Sequence, residues 1–154
     1  MRVPAETARH LARPGVEWEH LWSDVPQTLL HGDVKVANFA LLADGRVGAF
    51  DWAMVGSGPC TIDVGWYLAV NASRLTRSKE EILSRYRTLL ETALGKRLPD
   101  RLWSRLEDIA VISGARMLLW SKALALDLAR AGAAEEWNWW VDRLDAIRPE
   151  SAAV

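Results

Sequence analysis

The feature that most constrains this chain is a pair of short apolar runs joined by an Asp-Gly pair. Residues 39–42 and 46–50 form the two runs, and Ala-Asp-Gly at residues 43–45 separates them. An Asp-Gly pair favours a tight turn because glycine adopts positive φ without steric cost. The segment therefore predicts a β-hairpin, in which Asp44 forms the turn and has no functional role.

Three polar side chains stand at fixed intervals around this hairpin: Asp33, Asn38 five residues later, and Asp51 thirteen residues after that. Folding the hairpin brings Asn38, at the start of one strand, beside Asp51, at the end of the other. Mg²⁺ prefers oxygen ligands and is usually held by one or two protein groups together with phosphate oxygens. Phosphoryl transfer also needs a carboxylate that orients the attacking hydroxyl and accepts its proton. The spacing thus predicts a site for Mg-ATP, with Asp33 suited to the role of the base.

The stretch that begins at His31 resembles the catalytic and metal-binding loops of the aminoglycoside phosphotransferase and choline kinase superfamily, which shares its fold with the protein kinases. His31, Asp33 and Asn38 match the family's His-x-Asp-x-x-x-x-Asn loop, and Asp51 with Trp52 matches its later Asp-Trp pair. The resemblance implies that Asp33 is the catalytic base and that Asn38 and Asp51 bind Mg²⁺. It also implies that His31 is a structural member of the loop. As bare residue types, aspartate and asparagine are more often turn and cap formers.

The resemblance continues in residues 58–69, which read GPCTIDVGWYLA. In the family's corresponding segment an aspartate opens an apolar helix and braces the catalytic loop, which implies that role for Asp63. Lys35 stands where protein kinases place a lysine that approaches the transferred phosphate, although many small-molecule kinases lack it. Ala40 and Phe50 fall at positions where relatives contact the adenine ring, so the resemblance implies a nucleotide pocket there.

Only thirty residues precede His31, and kinases of this fold need more than that for their β-rich N-terminal lobe. These residues contain no glycine-rich loop and no lysine, and their composition predicts a helical lead-in over residues 1–28. The expected fold is α+β and mostly helical: a single domain resembling a kinase C-terminal lobe, with residues 29–58 carrying the catalytic loop, hairpin and metal loop. Residues 61–148 are predicted to form a helical bundle. A truncated gene, an internal start and a lobe supplied by a second chain are three open explanations.

Residues that start and stop helices divide the predicted bundle, residues 61–148, into separate helices. Ser78 and Glu81 form a capping-box pattern at the start of one helix, and Gly95 is expected to end it. A longer helix is predicted from about Pro99, and a last one over residues 134–147. The longer helix is expected to bury one apolar stripe, made of Leu102, Leu106, Ile109, Ala110, Met117, Trp120 and Leu124.

Nine tryptophans are many for 154 residues, and Trp137, Trp139 and Trp140 cluster beside Glu135 and Glu136. Aromatic faces and carboxylates attract cations, and the resemblance implies an acceptor bound between the catalytic loop and the C-terminal helices. Packing of these rings between helices is nevertheless the favoured interpretation, because aromatic residues at helical spacing usually belong to a core.

Composition and charge limit the partners and the cellular compartment that we expect for this chain. The net charge of −1 predicts no nucleic-acid partner, and the single cysteine, Cys60, excludes an internal disulfide and fits a reducing cytosol. The chain shows no signal-peptide pattern and no uncharged stretch long enough to span a bilayer. We therefore expect a cytoplasmic protein that does not contact a membrane.

Two functional hypotheses follow. The first is an ATP- and Mg²⁺-dependent phosphotransferase that moves the γ-phosphate of ATP to a hydroxyl of a small molecule, incomplete as this chain. The second is a catalytically inactive kinase-like lobe that serves as a binding module or is a truncated remnant. A plain helical interaction domain is disfavoured because it does not account for the hairpin between Asn38 and Asp51. The acceptor stays open, since relatives phosphorylate aminoglycosides, choline, homoserine, macrolides and sugars.

Overall fold

The structure is a computed structural model that describes Trp22 and residues 24–147. Within these residues the chain is mostly helical with two small antiparallel sheets, which agrees with the expected α+β class. The strands are β1 (Gln27–Leu30), β2 (Phe39–Leu41), β3 (Val47–Ala49) and β4 (Gly56–Pro59). The helices are α1 (Ile62–Val70), α2 (Lys79–Leu94), α3 (Asp100–Asp127) and α4 (Ala133–Ala146).

The predicted helical lead-in over residues 1–28 lies mostly outside the described residues. Its last two positions, Gln27 and Thr28, are in strand β1, so the prediction is wrong for them. They pair with residues near position 58, and a pairing partner so distant in sequence leaves no local signal.

The predicted hairpin is confirmed. Strands β2 and β3 pair antiparallel, with Leu41 opposite Val47. Gly45 adopts a φ of +82° in the turn, as the Asp-Gly signal requires. The carboxylate of Asp44 accepts a hydrogen bond from the backbone N–H of Arg46 at 3.0 Å, which gives this aspartate the expected turn role.

A second sheet fastens the base of the hairpin region. Strand β1 pairs antiparallel with β4, and Leu30 lies opposite Gly56. The sequence of β4 is Gly-Ser-Gly-Pro, which contains no β-branched or aromatic residue, so propensity does not predict it. Because the sheet brings residues 30 and 56 together, the segment between them is closed into one loop-and-hairpin unit.

The helix boundaries follow the sequence signals closely. At the start of α2, the Ser78 hydroxyl accepts from the Glu81 backbone N–H, and the Glu81 carboxylate accepts from the Ser78 N–H. The helix ends at Gly95, which has a φ of +65°. Helix α3 starts directly after Pro99, as predicted.

The core is built around a close crossing of α1 and α3. A Cβ atom on Gly65 would lie 2.0 Å from the carbonyl oxygen of Ala110, and one on Gly114 would lie 2.5 Å from that of Gly65. The Trp140 ring of α4 packs against the same place, 2.7 Å from the Cβ position of Gly114. Only glycine permits two helix backbones to approach this closely.

The predicted apolar stripe of α3 is buried only in its first half. Met117, Trp120 and Leu124 are 47%, 67% and 50% exposed, so the expectation that they lie in the core is wrong. A helix of 28 residues is about 42 Å long, whereas the nine residues of α1 span about 14 Å. Helix α3 therefore extends beyond the end of α1, and the second half of its apolar stripe is not covered by that helix.

Helix α3 is also long and apolar enough, by length and composition alone, to cross a membrane, with a mean hydropathy of 1.5 over its most apolar window. The core helix of a soluble protein meets the same criterion. In the described part of the chain, Ile109, Val111 and Ala115 of this helix are buried in the hydrophobic core.

Candidate active site

Helix α1 holds the first half of the loop that joins β1 to β2. The carboxylate of Asp63, in the first turn of α1, accepts hydrogen bonds from the backbone N–H groups of His31 (2.7 Å) and Gly32 (3.0 Å). On the other side of the loop, a Cβ on Gly32 would lie 2.2 Å from the carbonyl oxygen of Met54, and Gly32 has a φ of +79°. The loop backbone is thus fixed from both sides at the residue before Asp33.

The second half of the loop is held by the other end of α1. Asn71 is buried, its Oδ1 accepts from the Val36 N–H at 2.9 Å, and its Nδ2 donates to the Val34 carbonyl at 3.2 Å. Sequence reasoning missed Asn71, because an asparagine at a helix end reads as an ordinary cap. The available signal was its position two turns after Asp63, which places both side chains near one side of the helix.

His31 is a buried histidine that joins the loop to the hairpin. Its Nδ1 accepts from the backbone N–H of Asp33 at 3.3 Å, which leaves Nε2 to carry the proton and donate to the Phe50 carbonyl at 2.8 Å. Its ring lies against Trp52, with the ring centroids 4.5 Å apart. Both ring nitrogens are therefore used within the protein, and the contact reaches the residue next to Asp51.

The Asp33 side chain is 14% exposed and accepts three side-chain hydrogen bonds. Lys35 Nζ and Asn38 Nδ2 (3.0 Å) donate to Oδ2, and the indole N–H of Trp66 in α1 donates to Oδ1 (3.1 Å). The Lys35 hydrogen bond is the chief cause that lowers the pKa of the Asp33 carboxyl, against the opposing effect of burial. The structure thus holds an ionised carboxylate in a fixed plane. Sequence reasoning did not single out Trp66, because a tryptophan in an apolar helix reads as core.

Asn38 and Asp51 come from adjoining strand ends, as the hairpin predicted. The Phe50 N–H donates to the Asn38 carbonyl at 2.9 Å, which places the residue before Asp51 directly beside Asn38. Asn38 is 6% exposed, and its Nδ2 donates to the backbone carbonyl of Asp33 as well as to its carboxylate. Asp51 is exposed and has a φ of +60°, a strained conformation of the kind found at functional sites.

These two residues offer hard oxygen atoms that suit Mg²⁺. Among the contacts of the described residues, no donor reaches Asn38 Oδ1, although the side chain is buried, and none reaches the Asp51 carboxylate. No group of three or more His, Cys, Asp or Glu side chains in the described ranges could hold a metal ion. An amide oxygen and a carboxylate fit a magnesium ion that arrives with phosphate oxygens as its remaining ligands.

Lys35 places a positive charge beside Asp33 and near enough to Asp51 to interact with it. Its pKa is raised, chiefly by the hydrogen bond to Asp33 and in smaller part by the charges of Asp33 and Asp51. The side chain is 38% exposed, so it remains accessible to an anionic ligand. An ammonium has three donors, and one bond to Asp33 leaves two for such a ligand.

Ala40 and Phe50 both border Gly48 on the hairpin. Ala40 is opposite Gly48 in the strand register, and the nearest atom of the Phe50 ring is 3.2 Å from the Cβ position of that glycine. Both residues are exposed. The structure thus brings them to one glycine, while their contact with a nucleotide stays a prediction.

The tryptophan cluster is largely a packing feature. Trp137 and Trp140 are buried in the core, which confirms the favoured interpretation for them. Trp139 lines a cavity of about 620 Å³ that also touches α1, α2 and α3. Lys79 lies over its ring, 4.7 Å from the centroid, and Arg143 lies 6.0 Å from it; Lys79 also forms an ion pair with Glu136. The aromatic and acidic groups thus bind a lysine of the same chain.

A family model described as the phosphotransferase enzyme family matches residues 2–109, a range that includes the loop, the hairpin and α1. Neither the search of curated proteins nor the search of solved structures found a match. The match confirms the resemblance to the aminoglycoside phosphotransferase and choline kinase superfamily, and the chain belongs to the phosphotransferase enzyme family.

Proposed function

We propose that this chain carries the base and the metal ligands of an ATP- and Mg²⁺-dependent kinase that phosphorylates a hydroxyl of a small molecule. The observation that supports this most directly is the ionised Asp33, fixed by three donors and adjoined by the amide oxygen of Asn38, which receives no donor from the described residues. A carboxylate that is already ionised and held in one orientation suits proton abstraction from an alcohol, because it needs neither reorientation nor prior loss of a proton.

In the proposed reaction the acceptor hydroxyl donates a hydrogen bond to the Asp33 carboxylate. Its oxygen forms a bond to the γ-phosphorus of ATP, and the bond between that phosphorus and the bridging oxygen breaks. The hydroxyl proton passes to Asp33 and then to solvent, and the products are a phosphate ester and ADP. Lys35 places positive charge beside the base, where it counters negative charge on the moving phosphoryl group.

Asn38, through Oδ1, and Asp51, through its carboxylate, are the residues that would hold Mg²⁺. The ion would supply positive charge that neutralises the phosphate oxygens during transfer. The chain's own contribution is to keep both oxygens at adjoining strand ends through the Phe50–Asn38 backbone hydrogen bond.

The test compares Mg-ATP turnover by wild type, Asp33→Asn and Asp44→Asn with a panel of hydroxylated acceptors: aminoglycosides, choline, homoserine and sugars. Asp44→Asn is the matched control, because Asp44 is an exposed turn residue whose carboxylate bonds the nearby Arg46. We expect Asp33→Asn to lose about 10²- to 10⁴-fold in kcat, and Asp44→Asn to retain wild-type turnover.

Equal turnover by wild type and Asp33→Asn would contradict the assignment of the base. Absence of turnover together with absence of Mg-ATP binding by calorimetry would contradict the proposed function. That second outcome would favour the catalytically inactive lobe.

A further inference from the structure

The two oxygens of the Asp33 carboxylate are not equivalent. Oδ2 receives both Lys35 and Asn38, whereas among the described residues Oδ1 receives only the indole N–H of Trp66. Each carboxylate oxygen has about two acceptor sites. Both sites of Oδ2 are therefore occupied by the protein, and no described residue occupies the second site of Oδ1.

Trp66, whose indole donates to Oδ1, lies beside the point where α1 crosses α3. Trp66 follows Gly65, the residue at which α1 meets the backbone of α3. The same helix binds the loop on both sides of Asp33, through Asp63 before it and Asn71 after it. The indole and the carboxylate are thus attached to one framework, made of α1 and the loop that it binds.

We propose that Trp66 is a positioning residue of the transfer reaction: its indole N–H fixes the plane of the Asp33 carboxylate so that Oδ1 faces the acceptor hydroxyl. This inference rests on the proposed function. An indole N–H donates but does not accept or ionise at ordinary pH, so it cannot compete with Asp33 for the proton. Lys35, with three donors, can keep its bond to Oδ2 while it reaches a phosphate.

Loss of this hydrogen bond should affect catalysis more than binding. Without the indole N–H, the carboxylate can rotate about its terminal torsion, which is a soft degree of freedom for aspartate. A misaligned base lowers kcat, and small displacements of a catalytic group cost up to about 100-fold.

The test uses Trp66→Phe, which keeps an aromatic ring and removes the N–H. The matched control is Trp120→Phe, the same change at an exposed indole that donates to the Met117 carbonyl in α3. We expect Trp66→Phe to lose about 10- to 100-fold in kcat with KM values changed less than about threefold, and Trp120→Phe to match wild type.

A second measurement does not depend on turnover. In ¹H–¹⁵N spectra at neutral pH, Trp66→Phe identifies the Trp66 indole signal by its disappearance, and Asp33→Asn should move that signal upfield more than any other indole signal. Asp44→Asn should leave it in place. If Trp66→Phe does not fold, assignment of the wild-type indole signals through their backbone connectivities identifies the Trp66 signal, and the Asp33→Asn spectrum still tests the hydrogen bond.

The outcomes separate the two ideas. An indole signal that ignores Asp33→Asn, or a Trp66→Phe variant with wild-type kcat, overturns the positioning role and leaves the proposed function intact. Loss of the proposed function, seen as equal turnover by wild type and Asp33→Asn, overturns the positioning role as well, but the indole shift would still report the hydrogen bond.

Discussion

Replacement of Gly65 by alanine should lower the free energy of unfolding by about 2 kcal/mol. The new methyl carbon would lie 2.0 Å from the carbonyl oxygen of Ala110, whereas an ordinary C···O contact is about 3.3 Å. The obstructing atom belongs to the backbone of α3, so no side chain can turn aside and the two helices must separate. Overpacking in a core costs about 1–3 kcal/mol, and a backbone clash belongs near the upper limit.

The net value follows from a second, opposing effect. Alanine is better than glycine in a helix interior by about 1 kcal/mol, which offsets part of a clash of about 3 kcal/mol. For a chain of this size, a loss of about 2 kcal/mol lowers Tm by roughly 4–8 °C. Urea unfolding followed by circular dichroism and by tryptophan fluorescence measures both the midpoint and the free energy.

The control is Gly56→Ala in strand β4. A Cβ at Gly56 meets no atom within 4 Å, and its φ is not in the left-handed region, so the change should stay within about 0.5 kcal/mol of wild type. A Gly65→Ala protein as stable as wild type, or more stable by its helix propensity, would refute the close crossing of α1 and α3. The same result would weaken the argument that α1 holds the loop rigidly.

Two further changes test the polar framework. Asp63→Asn keeps one acceptor oxygen but sets an NH₂ group against the N–H of His31 or Gly32. We expect the free energy of unfolding, measured in urea, to fall by about 2–3 kcal/mol. An unchanged urea midpoint would contradict the role of Asp63 in holding the loop. Burial raises the pKa of Asp108 to about 6, against the attraction of Arg143. The neutral form of Asp108 therefore contributes to the stability of the folded protein. This contribution is fully present below pH 3.8, the ordinary pKa of an aspartate, and is lost as the pH rises through about 6. Asp108→Asn should therefore stabilise the protein by about 1–2 kcal/mol near pH 8, after allowance for the partial exposure of the side chain, and by little near pH 4. An equal gain in stability at both pH values would contradict the raised pKa of Asp108.

Local signals in the sequence predicted much of the fold. The hairpin, the capping box at Ser78, the end of α2 at Gly95 and the start of α3 after Pro99 each depend on residues within one or two turns of each other. Backbone preference and short-range hydrogen bonds decide such features, so the sequence contains the whole cause. The adjacency of Asn38 and Asp51 followed from the same hairpin.

Features that depend on distant partners could not be predicted in this way. Strand β4 forms because β1 is beside it, since its own residues have low strand propensity. Asn71 and Trp66 reach the loop across more than thirty residues of sequence, and each has a commonplace local explanation, as a cap and as a core aromatic. The exposed end of α3 depends on the length of α1, which the periodicity of α3 does not contain.

The candidate site therefore has two parts with different origins. The loop and hairpin supply the groups suited to chemistry, namely Asp33, Asn38 and Asp51. Helix α1 supplies the contacts that fix them, since Asp63, Trp66 and Asn71 bind the loop from one helix. Because α1 meets α3 at the glycine contact, the orientation of the Asp33 carboxylate depends on core packing as well as on its own hydrogen bonds. A change in that packing, although it touches no atom of the site, should be transmitted to Asp33 through the helix.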